Sequence, residues 1–378
     1  MDSLSRNSAG GLSTVSFVTS LIIVLVVGAL FIIFVIPPEN ATRASSSRTP
    51  SVSTTIPASS STGTSVSTSH STSPSTSIST SSASTTPDPS IKNGSATITF
   101  PSDYVQLANY TLNLVNKDRT SAGLAPVSLS PVQSGQQHAD SMLYFGYFSH
   151  WDTQGFKPYM RYSLLGGGGS VEENVAFEYF PSHFRGMSDV EQVISGLENQ
   201  MMFNDSACCQ NGHRDNILSP NHNRISIGIA YNESYVYLVQ DFENYLFNFS
   251  KPFLSGNIIR LDGRSSARLG QLAVYVFYDE PQAPLSPAQL SKPPYQQSYD
   301  QGIFIGGVVP PCSFSCITYP GNITVTAQTW KVSSTSANIV FSLSDFTRAY
   351  GKGVYTVLIV EEATRNVILF GLSVFVDS

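Results

Sequence analysis

Residues 212–230 read GHRDNILSPNHNRISIGIA, and the fold depends on how that stretch divides. Its first part carries His213, Arg214 and Asp215 and closes on SPNHN, a cluster of turn-forming residues. From Arg224 the pattern changes. RISIGIAY (224–231) and YVYLVQDFE (235–243) alternate apolar and polar side chains, and only NES separates them. Alternation with period two around a short polar link is a β-hairpin.

Upstream the period is helical. In DYVQLANYTLNLVNKDRTSAGL (103–124), Val105, Ala108, Leu112 and Val115 recur on one face, and Gly123 offers a stop. SPVQSGQQHADSMLYFGYF (130–148) reads as a second helix with Ser130 at its N-cap, Pro131 at N1, and Ala139, Met142 and Leu143 facing inward. SDVEQVISGLENQMMFND (188–205) is a third, with Val190, Val193, Ile194, Leu197 and Met201 in one stripe. ENVAFEY (173–179) adds a strand. Helices followed by an antiparallel hairpin predict an α+β layer domain over residues 101–250.

Residues 255–378 follow a different rule. QLAVYVFY, NITVTAQTW, SANIVFSLS, GVYTVLIVEE and VILFGLSVFV are short strand patterns separated by turns. They predict an all-β sandwich-like C-terminal domain. The proline-rich DEPQAPLSPAQLSKPPY (279–295) is a long loop within it or a linker between its halves.

The N-terminal quarter predicts no core. After a short tail (1–14), VSFVTSLIIVLVVGALFIIFVI (15–36) is 22 residues without a charge. That suffices for a transmembrane helix and exceeds a signal-peptide core. Between residues 44 and 90, 31 of 47 residues are Ser or Thr. Such a composition cannot bury enough surface to fold, which makes 37–100 a disordered stalk. Sequons at Asn40, Asn93, Asn109, Asn204, Asn232, Asn248 and Asn322 are candidate glycosylation sites. Together these features predict a membrane-anchored, cell-surface protein whose globular part is extracellular. Only 12% of residues are charged and the net charge is −6, which excludes nucleic acid as a partner. The membrane, through the N-terminal helix, and an unknown extracellular ligand remain.

An exterior location permits disulfides. Cys312 and Cys316 flank SFS and are placed to bridge locally. Adjacent Cys208 and Cys209 rarely bond each other, which leaves them free or paired elsewhere.

Three segments concentrate titratable groups: YFSHWDTQGFKPYMRY (147–162), SVEENVAFEY (170–179) and the opening stretch. Together with LVNKDRTSAGLAPVSLSP (114–131) and the closing YLVQDFE, they occur in the collinear order of the CAP superfamily, the cysteine-rich secretory, antigen 5 and pathogenesis-related-1 proteins. The chain resembles its prokaryotic SCP-domain branch over roughly residues 104–245. The resemblance implies a three-layer α-β-α sandwich. It also implies a central cleft in which two histidines and two glutamates can hold a divalent metal. Carried over by position, these are His150, Glu173, Glu198 and His213, with Glu172 standing where the family has glycine and Leu197 where it has tryptophan. Imidazoles with carboxylates suit Zn²⁺ and leave a position for water. Trp151, Arg161, Glu172 and Arg214 are candidates for lining the cleft. Taken alone, His150 among Tyr147, Phe148, Trp151 and Phe156 reads as a hydrogen-bonded ring in an aromatic wall. His138 reads as a residue of the helix flank, and Gly166–Gly169 as a flexible connection.

Three functions fit this set. One is a surface-anchored protein binding an external lipid, glycan or protein. The second is a metal-dependent hydrolase of peptidase type. The third is a structural surface component with a vestigial site. No nucleophile and no matched acid and base are identifiable, and the first function is the expectation.

Overall fold

A computed structural model describes residues 101–378 apart from 182–183, 185, 251–253, 314–315, 363–366 and 377–378. The predicted span at 15–36, the stalk at 37–100 and the sequons at Asn40 and Asn93 lie outside the described residues. Among the described residues no helix is long and apolar enough to cross a membrane.

The α+β expectation holds. Helix α1 (Pro101–Ser121) presents Leu107, Ala108, Thr111, Val115 and Arg119 to the core, while Val105 is 57% exposed. The inward stripe is therefore rotated from the one that apolar residues alone suggest, because two of its members are polar. Thr111 Oγ1 donates to the Leu107 carbonyl. The Arg119 guanidinium donates to the carbonyls of Ala125, Ile217, Ser219 and His222. A buried arginine that satisfies four carbonyls ties the loop before Arg224 to the first helix.

Helix α2 runs from Ser134 to Phe145, starting later than predicted. Ser130 instead extends β1 (Ser128–Leu129): its N–H donates to the Ile225 carbonyl, and its Oγ accepts from Val132 N–H. Helix α3 (Pro158–Leu164) has proline in its first turn, where no N–H is required. Strand β2 (Ser170–Tyr179), helix α4 (Met187–Phe203), helices α5 (Ser206–Cys209) and α6 (Gly212–Ile217), and the hairpin β3 (Arg224–Tyr231) and β4 (Tyr235–Asn244) complete the first half.

The sheet order is β1-β3-β4-β2, so β4 is paired on both edges. Ile225, Ile227, Ile229, Val236, Leu238 and Phe242 pack with α1 and α4. On the other face, Val175, Ala230, Tyr237 and Val239 pack with Ala139 and Met142 of α2. The helices lie on both faces of one sheet, which is the three-layer arrangement. Helix α2 approaches β3 backbone to backbone: a Cβ on Gly228 would sit 2.0 Å from the Gly135 carbonyl oxygen.

Two five-stranded sheets follow. One has the order β10-β9-β8-β13-β14, with β8 (Leu272–Asp279), β9 (Ile303–Val309), β10 (Ile323–Thr326), β13 (Gly353–Glu361) and β14 (Val367–Val376). The other has the order β11-β12-β7-β5, with β5 (Phe247–Phe249), β7 (Ile258–Ser265), β11 (Thr329–Val332) and β12 (Ser336–Ser342), and β6 (Leu254–Ser255) pairs beside β7. The predicted strand NITVTAQTW is in fact two. Ala327 N–H donates to Val309 of the first sheet and Gln328 N–H to Val340 of the second, so the chain changes sheets there.

This β module packs directly on the α-β-α layers. Lys157 binds Asp279 and Asp300, and Tyr159 OH donates to Asp279. Met160, Tyr162 and Val171 share a cluster with Val354. The glycine tract is a packed turn, not a flexible connection. A Cβ on Gly167 would overlap the Tyr162 ring, and one on Gly169 would lie 2.5 Å from the Asn244 carbonyl oxygen.

The proline-rich segment has the most consequence for the site. It leaves β8, forms the short helix α7 (Pro287–Leu290), whose capping box joins Ser286 and Gln289, and crosses the α2 face of the first sheet. Leu290 is fully buried with Tyr147, Val175 and Tyr237. Leu285 N–H donates to the Thr153 carbonyl.

Candidate functional site

Alternation along β2 sends Glu173 to one face of the sheet and Glu172 and Asn174 to the other. Glu173 is 3% exposed and reaches the α2/α3 face. There Oε1 lies 2.9 Å from His150 Nδ1, and Oε2 accepts from Arg161 Nη2 at 2.6 Å. Arg161 also donates to the carbonyls of His150 and Phe156, fixing the loop that carries the histidine. Its position follows from α3: proline at the first turn starts the helix at Pro158, and Arg161 falls on the buried side.

Asp241 stands opposite Glu173 in the β2–β4 register and extends the network. Ser134 Oγ donates to Asp241 Oδ2 at 2.5 Å. His138 Nε2 lies 2.8 Å from the Ser149 carbonyl oxygen and 3.9 Å from Glu173 Oε1. It is thus an interior residue of this network, not of the helix flank.

Burial raises the Glu173 carboxyl to about 7, with Arg161 opposing the shift. Burial, and next the Glu173 charge, raise Asp241 well above the carboxylate range. The two carboxyls disfavour each other's charge, and the Arg161 guanidinium favours it on Glu173. Burial, reinforced by Arg161, lowers His150 to about 4. His150 is neutral and donates Nδ1–H to Glu173.

The proline-rich segment and its continuation to Tyr299 form a strap that covers this centre. Tyr299 places its ring 5.1 Å from that of His150, and its hydroxyl accepts from Glu173 N–H at 3.2 Å. Tyr295 packs edge-on against Trp151, and its carbonyl accepts from Ser149 Oγ.

The opposite face holds the remaining pair. Glu198 is buried, and its Oε2 accepts from Gln240 Nε2. Its Oε1 has no partner, which suits a protonated carboxyl, and burial raises the group to about 8. Gln240 and the His213 carbonyl both accept from the Asn174 amide, and Asn216 donates to its oxygen. The His213 ring turns to Asp205, with Nδ1 2.6 Å from Oδ1.

The sheet therefore separates the four expected ligands into His150 with Glu173 and Glu198 near His213. No three of them bring ligand atoms within 4.8 Å of one another among the described residues. Arg161, Gln240 and Asp205 each bond one member of these pairs. These residues do not fit an ion shared by all four.

The other candidates fall out as follows. Trp151 and Arg161 belong to the His150 centre. Glu172 is half-exposed on the other face, 3.5 Å from His222 Nε2. Arg214 is exposed, and its backbone N–H donates to Asp205. The structure pairs Cys312 with Cys316, and also Cys208 with Cys209, against the expectation that adjacent cysteines avoid each other. Both lie on the single turn of α5. The sequons at Asn109, Asn204 and Asn248 are exposed, and those at Asn232 and Asn322 half-buried.

Asp205, Asp241 and Tyr299 were not singled out in the sequence. Asp241 left a signal: QDFEN puts four polar residues into what proves a central strand, and all four are buried.

The family model of the cysteine-rich secretory proteins, CAP, matches residues 112–242. An extracellular protein containing a SCP domain from Bacillus anthracis is 20% identical over 36% of this chain and 39% of that one, with a TM-score of 0.26. The CAP domain of Enterococcal PrgA is 15% identical over 40% of this chain and 66% of that one, with a TM-score of 0.27. The chain thus spans less than two thirds of either neighbour. No curated protein matches.

Proposed function

From the match of residues 112–242 to the cysteine-rich secretory protein family model, we propose that the chain is a surface-displayed binding protein and not a hydrolase. The observation that carries this is the closure of the His150 centre. Glu173 is bonded by His150 through one oxygen and Arg161 through the other, and Tyr299 lies over the histidine. A general base must reach the proton it abstracts from bound substrate, and here both Glu173 oxygens are engaged by protein groups instead. The anchor, stalk and sequons read from the sequence support display outside the cell. Aromatic rings on the α2 side of the sheet support binding: Phe177 is 40% and Tyr179 52% exposed, each beside a cross-strand tyrosine. Rings of this kind suit a glycan or lipid surface.

One observation favours the hydrolase. Ser134 bonds Asp241, Asp241 stands opposite Glu173, and Glu173 bonds His150, with a carboxyl near 7. A panel of peptide, ester and glycan substrates, tested with the full chain and its Glu173→Gln variant, separates the two. No turnover by either supports the binding reading. Turnover lost in Glu173→Gln overturns it.

A further inference from the structure

We propose that Asp205, Cys208, Cys209 and His213 form a redox-gated site for one zinc-type divalent cation. The four residues bring a carboxylate oxygen, two sulfurs and a ring nitrogen within 4.8 Å of one another. Tetrahedral zinc with bonds of about 2.0–2.3 Å asks for ligands roughly 3.3–3.8 Å apart, which small side-chain adjustments provide. Two thiolates, an imidazole and a carboxylate are a borderline-soft set, suited to Zn²⁺ or Cd²⁺ and poorly to Mg²⁺ or Ca²⁺.

The backbone is shaped to hold this arrangement. Gln210 and Asn211 both adopt left-handed conformations, with φ of 53° and 69°. The reversal they make turns His213 back over α5. Buried Asp205 secures it, because Oδ2 accepts the backbone N–H of His213 and of Arg214. Cys208 is exposed and Cys209 and His213 are half-buried, leaving an entry path from solvent.

In the structure the sulfurs are joined to each other, and a disulfide offers no thiolate. A small dithiol opens the site. It passes two electrons and two protons to Cys208 and Cys209 and becomes a disulfide itself. On coordination each cysteine loses its proton to solvent. The imidazole proton moves from Nδ1 to Nε2, and the ion takes the proton's place between His213 and Asp205. The His150 centre takes no part, so the inference is independent of the binding reading.

The test uses the full chain with Cys312→Ser and Cys316→Ser, which leaves one cysteine pair. The protein is reduced with a dithiol, freed of it under nitrogen and titrated with Cd²⁺, whose thiolate complexes absorb in the ultraviolet. The expected result is one ion per chain in the reduced protein and none in the oxidised, with Zn²⁺ displacing Cd²⁺. Cys209→Ser should abolish the thiolate band. His213→Ala should keep the band but weaken binding roughly tenfold or more. Far-ultraviolet circular dichroism verifies that the variant is folded, and His213→Asn, closer in size, should show the same loss. Equal binding by oxidised and reduced protein, or unchanged affinity in both folded His213 variants, overturns the site.

Discussion

Glu173 and Asp241 face each other across β2 and β4, two buried carboxyl groups with the Arg161 guanidinium 2.6 Å from the first. Removing Arg161 would strand the Glu173 charge in the interior. Breaking one partner of a buried pair costs about 3–5 kcal/mol, whereas removing both costs far less. Arg161→Met should therefore destabilise the protein by several kcal/mol in denaturant unfolding, and Arg161→Met/Glu173→Gln should recover a large part of the loss. A double variant as unstable as the single one would show that Arg161 acts through its bonds to the His150 and Phe156 carbonyls instead.

Glu198 contributes to the alkaline limb of stability. Its carboxyl is raised from 4.5 to about 8 by burial. The folded state then holds a proton that the unfolded state releases, so its contribution is fully present below about pH 4.5 and lost as pH rises through 8. At about 1.4 kcal/mol per pH unit, the interval amounts to a few kcal/mol. Glu198→Gln should flatten the fall in melting temperature between pH 5 and 8.5. His150, lowered to about 4, acts oppositely. Its contribution is present above about 6.5 and lost as pH falls toward 4, so His150→Gln should flatten the acid limb.

Packing of α2 on β3 gives a sharper test of the fold. Gly228→Ala would set a methyl group 2.0 Å from a backbone oxygen that cannot rotate away. Overpacking of this kind costs about 1–3 kcal/mol or more, read as a lower unfolding midpoint. Gly196→Ala, where a Cβ meets nothing within 4 Å, should be neutral or stabilising.

Much of this molecule was legible in its sequence, and the rest was not for identifiable reasons. Local period revealed the hairpin Arg224–Asn244 and the stripe Val190, Ile194, Leu197, Met201 because burial there follows apolarity. It failed in α1, where Thr111 and Arg119 are interior residues whose partners are carbonyls invisible to pattern reading. NITVTAQTW read as one strand because a change of sheet leaves the apolar–polar alternation intact. The family motif brought out His150, Glu173 and His213 individually. The face that Glu173 occupies followed from strand parity, which the motif does not encode. Tyr299 was hidden for a further reason: it lies 126 residues beyond Glu173, in a segment whose prolines mark it only as a loop.

That strap provides the last prediction. Its hold on the His150 centre combines the Tyr299 ring, the Glu173 N–H to Tyr299 hydrogen bond, and Leu290 in the core beneath α2. Tyr299→Ala removes the first two and leaves Leu290 and the Lys157 contacts to Asp279 and Asp300 in place. The strap should remain attached at both ends while His150 gains access to solvent. Acylation of His150 by diethyl pyrocarbonate, located by mass spectrometry, should be slow in the wild type and many-fold faster in Tyr299→Ala. Tyr299→Phe keeps the ring and should stay near the wild-type rate. Equal rates in all three proteins would mean that the strap does not control access. Turnover appearing only in Tyr299→Ala would identify the strap as a restraint on chemistry, and the run from Ser134 to His150 would then have to be read as catalytic.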